Sequence, residues 1–154
     1  MKKLISFLEK KGLTLSVAES CTGGLISHKI TQVPGASKVF HEGIICYNNE
    51  SKINRLRISP TTLKKYGAVS LQICRLMAKK VAGKSKIGLA TTGIAGPSGA
   101  TDTKPIGLVY VGVKLTGKVT VKKLILNGSR KKIKQQAADI ALNILFDLVK
   151  CRYQ

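Results

Sequence analysis

The sequence predicts a three-layer α/β/α fold around a central mixed sheet, in one domain over residues 1–154. Three observations carry that prediction. Short runs of β-branched and small residues alternate with segments whose apolar residues recur at helical spacing, as expected of strands interleaved with helices. Two late strand-like runs, Gly107 to Leu115 and Val119 to Leu126, meet at Thr116-Gly117-Lys118. That hairpin signal makes the sheet mixed rather than purely parallel. Finally, 154 residues with 44% hydrophobic content suit a single globule that buries roughly two thirds of its surface.

The elements follow in order. Leu4, Ile5 and Leu8 repeat at helical spacing, and Gly12 is the stop. A strand over Thr14 to Glu19 feeds the turn Ser20-Cys21-Thr22-Gly23-Gly24, and a helix runs on to Gln32. Pro34 and Gly35 interrupt any element, so Val33 to Ser37 is a loop, and Val39 to Tyr47 is the next strand. A short helix spans Glu50 to Leu56, with Asn49 as its cap. Ser59-Pro60 starts another, stopped by Gly67, and Ser70 caps a third with Ile73, Leu76, Met77 and Val81 on one face. Ile87 to Thr92 reads as a central strand, followed by a turn-rich loop from Gly93 to Pro105. After the hairpin, a last helix reaches Val149 and carries a stripe of Ile133, Ala137, Ile140, Ile144 and Leu148.

Composition excludes several classes. No apolar run approaches the ~20 residues of a membrane span. Met1-Lys2-Lys3 with Leu4 to Leu8 imitates a signal peptide, but Glu9-Lys10-Lys11 cuts the run short and no small-residue cleavage site follows, so a cytoplasmic protein is expected. Cys21, Cys46, Cys74 and Cys151 form no C-x-x-C pair and have only His28 and His41 beside them, which argues against a metal centre and for reduced thiols. The net charge of +20 invites a nucleic-acid reading. However, lysines spread along the whole chain with only seven aromatics predict weak polyanion binding at low salt, not a specific nucleic-acid partner.

Polar loops at strand ends are where chemistry collects in an open α/β sheet. The strand-to-helix turn Ser20 to Gly24 presents backbone N–H groups at a helix start, a geometry that favours a phosphate, and the glycines admit close approach. A glycine cap without a ligand is the alternative. In Tyr47-Asn48-Asn49-Glu50-Ser51-Lys52, capping by Asn49 places Lys52 in the first helical turn, where a cation is disfavoured. With burial, its pKa falls and it becomes a base for a serine hydroxyl; a solvated surface lysine is the alternative. Ser20, Cys21 and Ser37 are the nucleophile candidates, and Cys21 near a helix start would have a lowered pKa. The loop from Thr92 offers N–H groups of Gly93, Ala95 and Gly96 to an oxyanion or phosphate, and Arg130 offers an anion partner.

Taken together, Ala18-Glu19-Ser20-Cys21-Thr22-Gly23-Gly24, Pro34-Gly35-Ala36-Ser37, Tyr47 to Lys52, Gly67-Ala68-Val69-Ser70, Thr92 to Pro97 and Lys104-Pro105-Ile106-Gly107 closely resemble, in order, the CinA C-terminal family. The resemblance runs from about Leu4 to Leu148; the loop Ser98 to Asp102 departs from it, where many relatives carry Gly-Gly and more acidic residues. It implies a nicotinamide-nucleotide amidase that converts nicotinamide mononucleotide and water to nicotinate mononucleotide and ammonia. No cofactor or metal is implied. Longer members carry a preceding nucleotide-pyrophosphatase-like domain, so the stand-alone type is expected. The resemblance puts the catalytic serine on Ser37, assisted by Tyr47 and Lys52, with Thr92 at the oxyanion. Substrate contacts are expected from Glu19, Ser20, Thr22, Gly23 and Gly24, and from Asn49, Gly93, Ala95, Gly96 and Arg130. A small-molecule nucleotide is the expected partner, and a homodimer the expected assembly. A catalytically silent nucleotide-binding protein of the same fold is the alternative function.

Overall fold

The computed structural model describes all 154 residues. Leu4, Ile5 and Leu8 form the buried face of helix α1 (Lys2–Lys10), and the chain leaves it through Gly12 at φ +59. Strand β1 (Leu15–Glu19) leads to helix α2 (Leu25–Thr31), a 3-10 turn at Ala36–Lys38 and strand β2 (Phe40–Ile45). Helices α3 (Asn49–Leu56), α4 (Pro60–Tyr66) and α5 (Leu71–Ala82) then return the chain to strand β3 (Ile87–Gly93). The hairpin β4 (Leu108–Leu115) and β5 (Lys118–Ile125) precedes helix α6 (Arg130–Tyr153).

The sheet order is β2-β1-β3-β4-β5. β1 pairs in parallel with β2 and β3, while β4 and β5 are antiparallel. The sheet is therefore mixed, with the predicted hairpin at one edge and β3 central. Alternation along each strand divides the apolar residues between two cores. Leu15, Val17, Ile87 and Leu89 pack beneath α1, α2 and α6, whereas Ala18 and Ala90 face α3, α4 and α5. α5 lies close on the sheet because position 88 is glycine: a Cβ there would stand 2.1 Å from the Ala78 carbonyl oxygen.

Two helices differ from expectation. The buried stripe of α6 runs through Ile133, Ala137, Ala141, Leu145 and Val149, with Ile140, Ile144 and Leu148 on its half-buried flank. Steps of four keep one face, and the alanines let that face approach the sheet more closely than isoleucines would. α3 is capped by Asn48, not Asn49, since the Asn48 Oδ1 accepts from the Ser51 N–H at 2.8 Å. No helix is long and apolar enough to cross a membrane.

β1, β2 and β3 end on the same side. The β1-to-β2 crossover carries α2 on one face, and the β2-to-β3 crossover carries α3 to α5 on the other. The strand order thus reverses at β1, which opens a crevice beyond the carboxyl ends of β1 and β3.

Candidate active site

Ser20 is the first residue beyond β1. Its N–H donates to the Thr91 carbonyl at 3.0 Å, so the sheet ladder holds it in place, and its side chain is 7% exposed. Lys52, in the first half of α3, reaches it from the side. The Lys52 Nζ lies 3.1 Å from Ser20 Oγ, 2.7 Å from the Cys46 carbonyl oxygen and 3.2 Å from that of Tyr47. Lys52 is among the largest fully buried side chains, at 1% exposure, and it makes no salt bridge. Burial holds its pKa below the ordinary lysine value, against a weaker upward pull from the Cys46 and Cys21 thiols. As an ammonium it fills all three acceptors. Once neutral, its two remaining N–H groups suffice for the two carbonyls, and its lone pair faces Ser20 Oγ. The alternative of a solvated surface lysine is thereby overturned.

These groups open on a cavity of about 350 Å³ that Ser20, Tyr47, Lys52, Thr92, Ala95 and Arg130 help to line. Cys21, Gly93 and Gly96 also line it. The backbone N–H groups of Cys21, Ala95 and Gly96 have no partner within the chain, which leaves donors for a developing oxyanion. Arg130 closes the mouth: one guanidinium nitrogen donates to the Gly96 carbonyl at 2.7 Å, and another to the Tyr47 hydroxyl.

Several expected roles are corrected. Ser37 is exposed and lies in the 3-10 turn before β2, whereas Ser20 follows β1. Because β1 and β2 run parallel, with Leu15 beside Phe40 and Glu19 beside Ile45, the two serines occupy opposite ends of the sheet. Five strand residues put roughly 15 Å between them. Ser37 instead borders a separate hollow with Pro34, Gly35 and Phe40. Lys52 therefore faces Ser20 and not Ser37.

Glu19 does not line the cavity. It is fully buried, and its carboxylate accepts from the N–H groups of Gly24, Ile26 and Ser27 and from Ser27 Oγ, at 2.8 to 3.1 Å. It occupies the anion position at the start of α2, so the turn does not hold those N–H groups free for phosphate. Thr22 is buried, with its hydroxyl 2.8 Å from that of Thr91. Together with Gly23 and Gly24 it borders a neighbouring groove rather than the Ser20 cavity. Asn49 is exposed and does not line the cavity. The Thr92 hydroxyl donates to the Ala68 carbonyl at 2.9 Å, which commits its proton to the cavity wall. Cys21 is buried and its pKa is pushed up to about 12, chiefly by that burial, so it is not an activated thiolate.

Ala68 and Val69 line the cavity without having been singled out as site residues. Their signal was the Gly67-Ala68-Val69-Ser70 segment, a tight entry to the α5 cap.

The comparisons with known proteins agree with this architecture. The family model described as the CinA C-terminal domain matches residues 1–149. A CinA-like protein from Kosmotoga olearia is 52% identical over 144 residues, which is 92% of this chain but 35% of that relative's length. This chain thus spans about a third of the length of that relative. Among solved structures, the competence damage-inducible protein A from Klebsiella pneumoniae superposes with a TM-score of 0.93 at 26% identity, covering 99% of this chain and 98% of that one. The competence/damage inducible protein from Agrobacterium tumefaciens gives a TM-score of 0.91 at 35% identity, covering 95% and 91%. With the family model matched along almost its whole length, the chain belongs to the CinA C-terminal domain family.

Proposed function

We propose that this chain is a nicotinamide-nucleotide amidase in which Ser20 is the nucleophile and Lys52 its base. The observation that carries the reading is the Lys52 Nζ, buried without a carboxylate and 3.1 Å from Ser20 Oγ in the cavity wall. A lysine in that setting is a proton acceptor by virtue of burial. The family resemblance supplies the substrate class.

In this reading Ser20 Oγ attacks the carboxamide carbon as its proton passes to Lys52 Nζ. The carbonyl oxygen takes up negative charge against the free N–H groups of Cys21, Ala95 and Gly96. The carbon–nitrogen bond then breaks, Lys52 returns the proton to the leaving nitrogen, and ammonia departs. Water attacks the acyl-serine with Lys52 again as base, which releases nicotinate mononucleotide and restores the Ser20 hydroxyl. Tyr47 and Arg130 border the mouth as a linked pair. The purified protein given nicotinamide mononucleotide is expected to release ammonia and nicotinate mononucleotide in equal amounts. Binding of the nucleotide with no ammonia would favour the silent binding protein instead.

The acid limb of the pH profile tests the base. Activity requires neutral Lys52, so kcat/KM is expected to rise with pH as that proton is lost, with a midpoint below the ~10.4 of an ordinary lysine. The same shift couples folding to pH. Between the lowered folded value and the unfolded one, the unfolded chain holds a proton that the folded chain has released. Stability should therefore rise with pH across that window. Lys52→Met is expected to abolish turnover and flatten this part of the Tm-against-pH curve. A pH profile without an acid limb would remove Lys52 from the base role.

A further inference from the structure

The loop between β3 and β4 leaves the sheet at Ile94 and returns at Gly107, where the Gly107 N–H donates to the Ile94 carbonyl at 2.7 Å and ties the two feet together. Its far end turns back between Thr101 and Lys104, whose backbone groups bond each other at 2.9 and 3.1 Å. From Pro97 to Ile106 every residue is exposed except Lys104, which is half-buried. The Lys104 Nζ donates to the carbonyl of Tyr66, the last residue of α4, at 3.2 Å. A cation suits the free carbonyls at a helix end. Position 67 is glycine, at φ +73, and a Cβ there would stand 3.0 Å from that Nζ. Lys104 makes no salt bridge, and its bond to Tyr66 is the only hydrogen bond that joins residues 97–104 to another part of the chain.

Both segments joined by this bond line the Ser20 cavity, through Ser98 and Gly99 of the loop and through Ala68 and Val69 just beyond Tyr66. The Thr92 hydroxyl already fixes the Ala68 carbonyl to β3, so Lys104 anchors the loop to a wall that the sheet itself holds. We infer that Lys104 is a positioning residue of the Ser20 site: it fixes Ser98 and Gly99 relative to Ala68 and Val69, and so sets the cavity that receives the substrate. Lys104 does not itself line that cavity. Without the tether the loop is held only at its feet, and a substrate must order it on binding. That cost falls on affinity and leaves the Ser20–Lys52 pair in place. The consequence for turnover rests on the amidase reading; the tether does not.

The test compares Lys104→Met and Lys104→Arg with wild type in three measurements: steady-state hydrolysis of nicotinamide mononucleotide, its calorimetric binding, and amide hydrogen exchange. In Lys104→Met, KM should rise about tenfold with kcat within about twofold, and binding should weaken by a similar factor. Exchange over residues 98–103 should quicken at least about tenfold, while the Ser20 amide keeps its wild-type rate. Lys104→Arg retains a donor and should restore both. A purely structural role would remove folded enzyme, which lowers kcat and leaves KM alone, so that pattern would overturn the inference, as would unchanged exchange over residues 98–103. Absence of ammonia from wild type, with faster loop exchange and weaker nucleotide binding in Lys104→Met, would overturn the amidase reading and leave the tether standing.

Discussion

Ser20→Ala is expected to lower the rate of ammonia release from nicotinamide mononucleotide by on the order of 10³-fold or more, while Ser37→Ala stays near the wild-type rate. Loss of a serine nucleophile removes the covalent route altogether, which is why the expected effect is so large. Position 20 tolerates the change structurally. The Ser20 N–H bond to Thr91 is backbone and survives, and only the Lys52 contact is lost. Ser37 is exposed, with no side-chain partner, at the far end of β1 and β2. Measured initial rates of the two alanine variants decide between the serines. Full activity in Ser20→Ala would overturn the assignment.

Glu19→Ala is expected to have the largest effect on stability. Its carboxylate satisfies three backbone donors at the start of α2 and the Ser27 hydroxyl, all within a fully buried setting. Removing it leaves those donors unpaired where little water reaches. A lost cap together with charge-assisted bonds should cost about 3 kcal/mol. For a chain of this size that lowers Tm by about 10 °C. Glu19→Gln keeps one acceptor oxygen and should fall between alanine and wild type. Thermal melts of the three proteins at one pH check the order. A Tm for Glu19→Ala within 2 °C of wild type, on the same scale of about 3 °C per kcal/mol, would mean that water replaces the carboxylate at the helix start.

The strands and helices were legible because their signals are local. Ser59-Pro60 and Ser70 mark helix starts through short-range capping, and each serine accepts the expected N–H bond. The hairpin at Thr116-Gly117 was equally local. Which serine meets Lys52 was not, because it depends on β1 and β2 running side by side in parallel, a pairing between residues far apart in sequence. Glu19 was misread for a related reason. An acidic residue before a glycine turn can face a ligand or fold back onto the next helix, and only the helix direction decides. The α6 stripe was misplaced because isoleucines outweigh alanines on any hydrophobicity scale, while the closest packing belongs to the smaller residues.

The bond from the Ser20 N–H to the Thr91 carbonyl has a kinetic side. It ties the Ser20 amide to the parallel strands, so its hydrogen exchange should require the opening of the sheet itself. Tyr47 is 55% exposed and Arg130 stands at the tip of a helix, where opening is local and rapid. The cavity therefore has one slow wall and one fast wall. Ser20 Oγ keeps its position through many openings of the mouth, so a ligand can enter and leave without disturbing that hydroxyl.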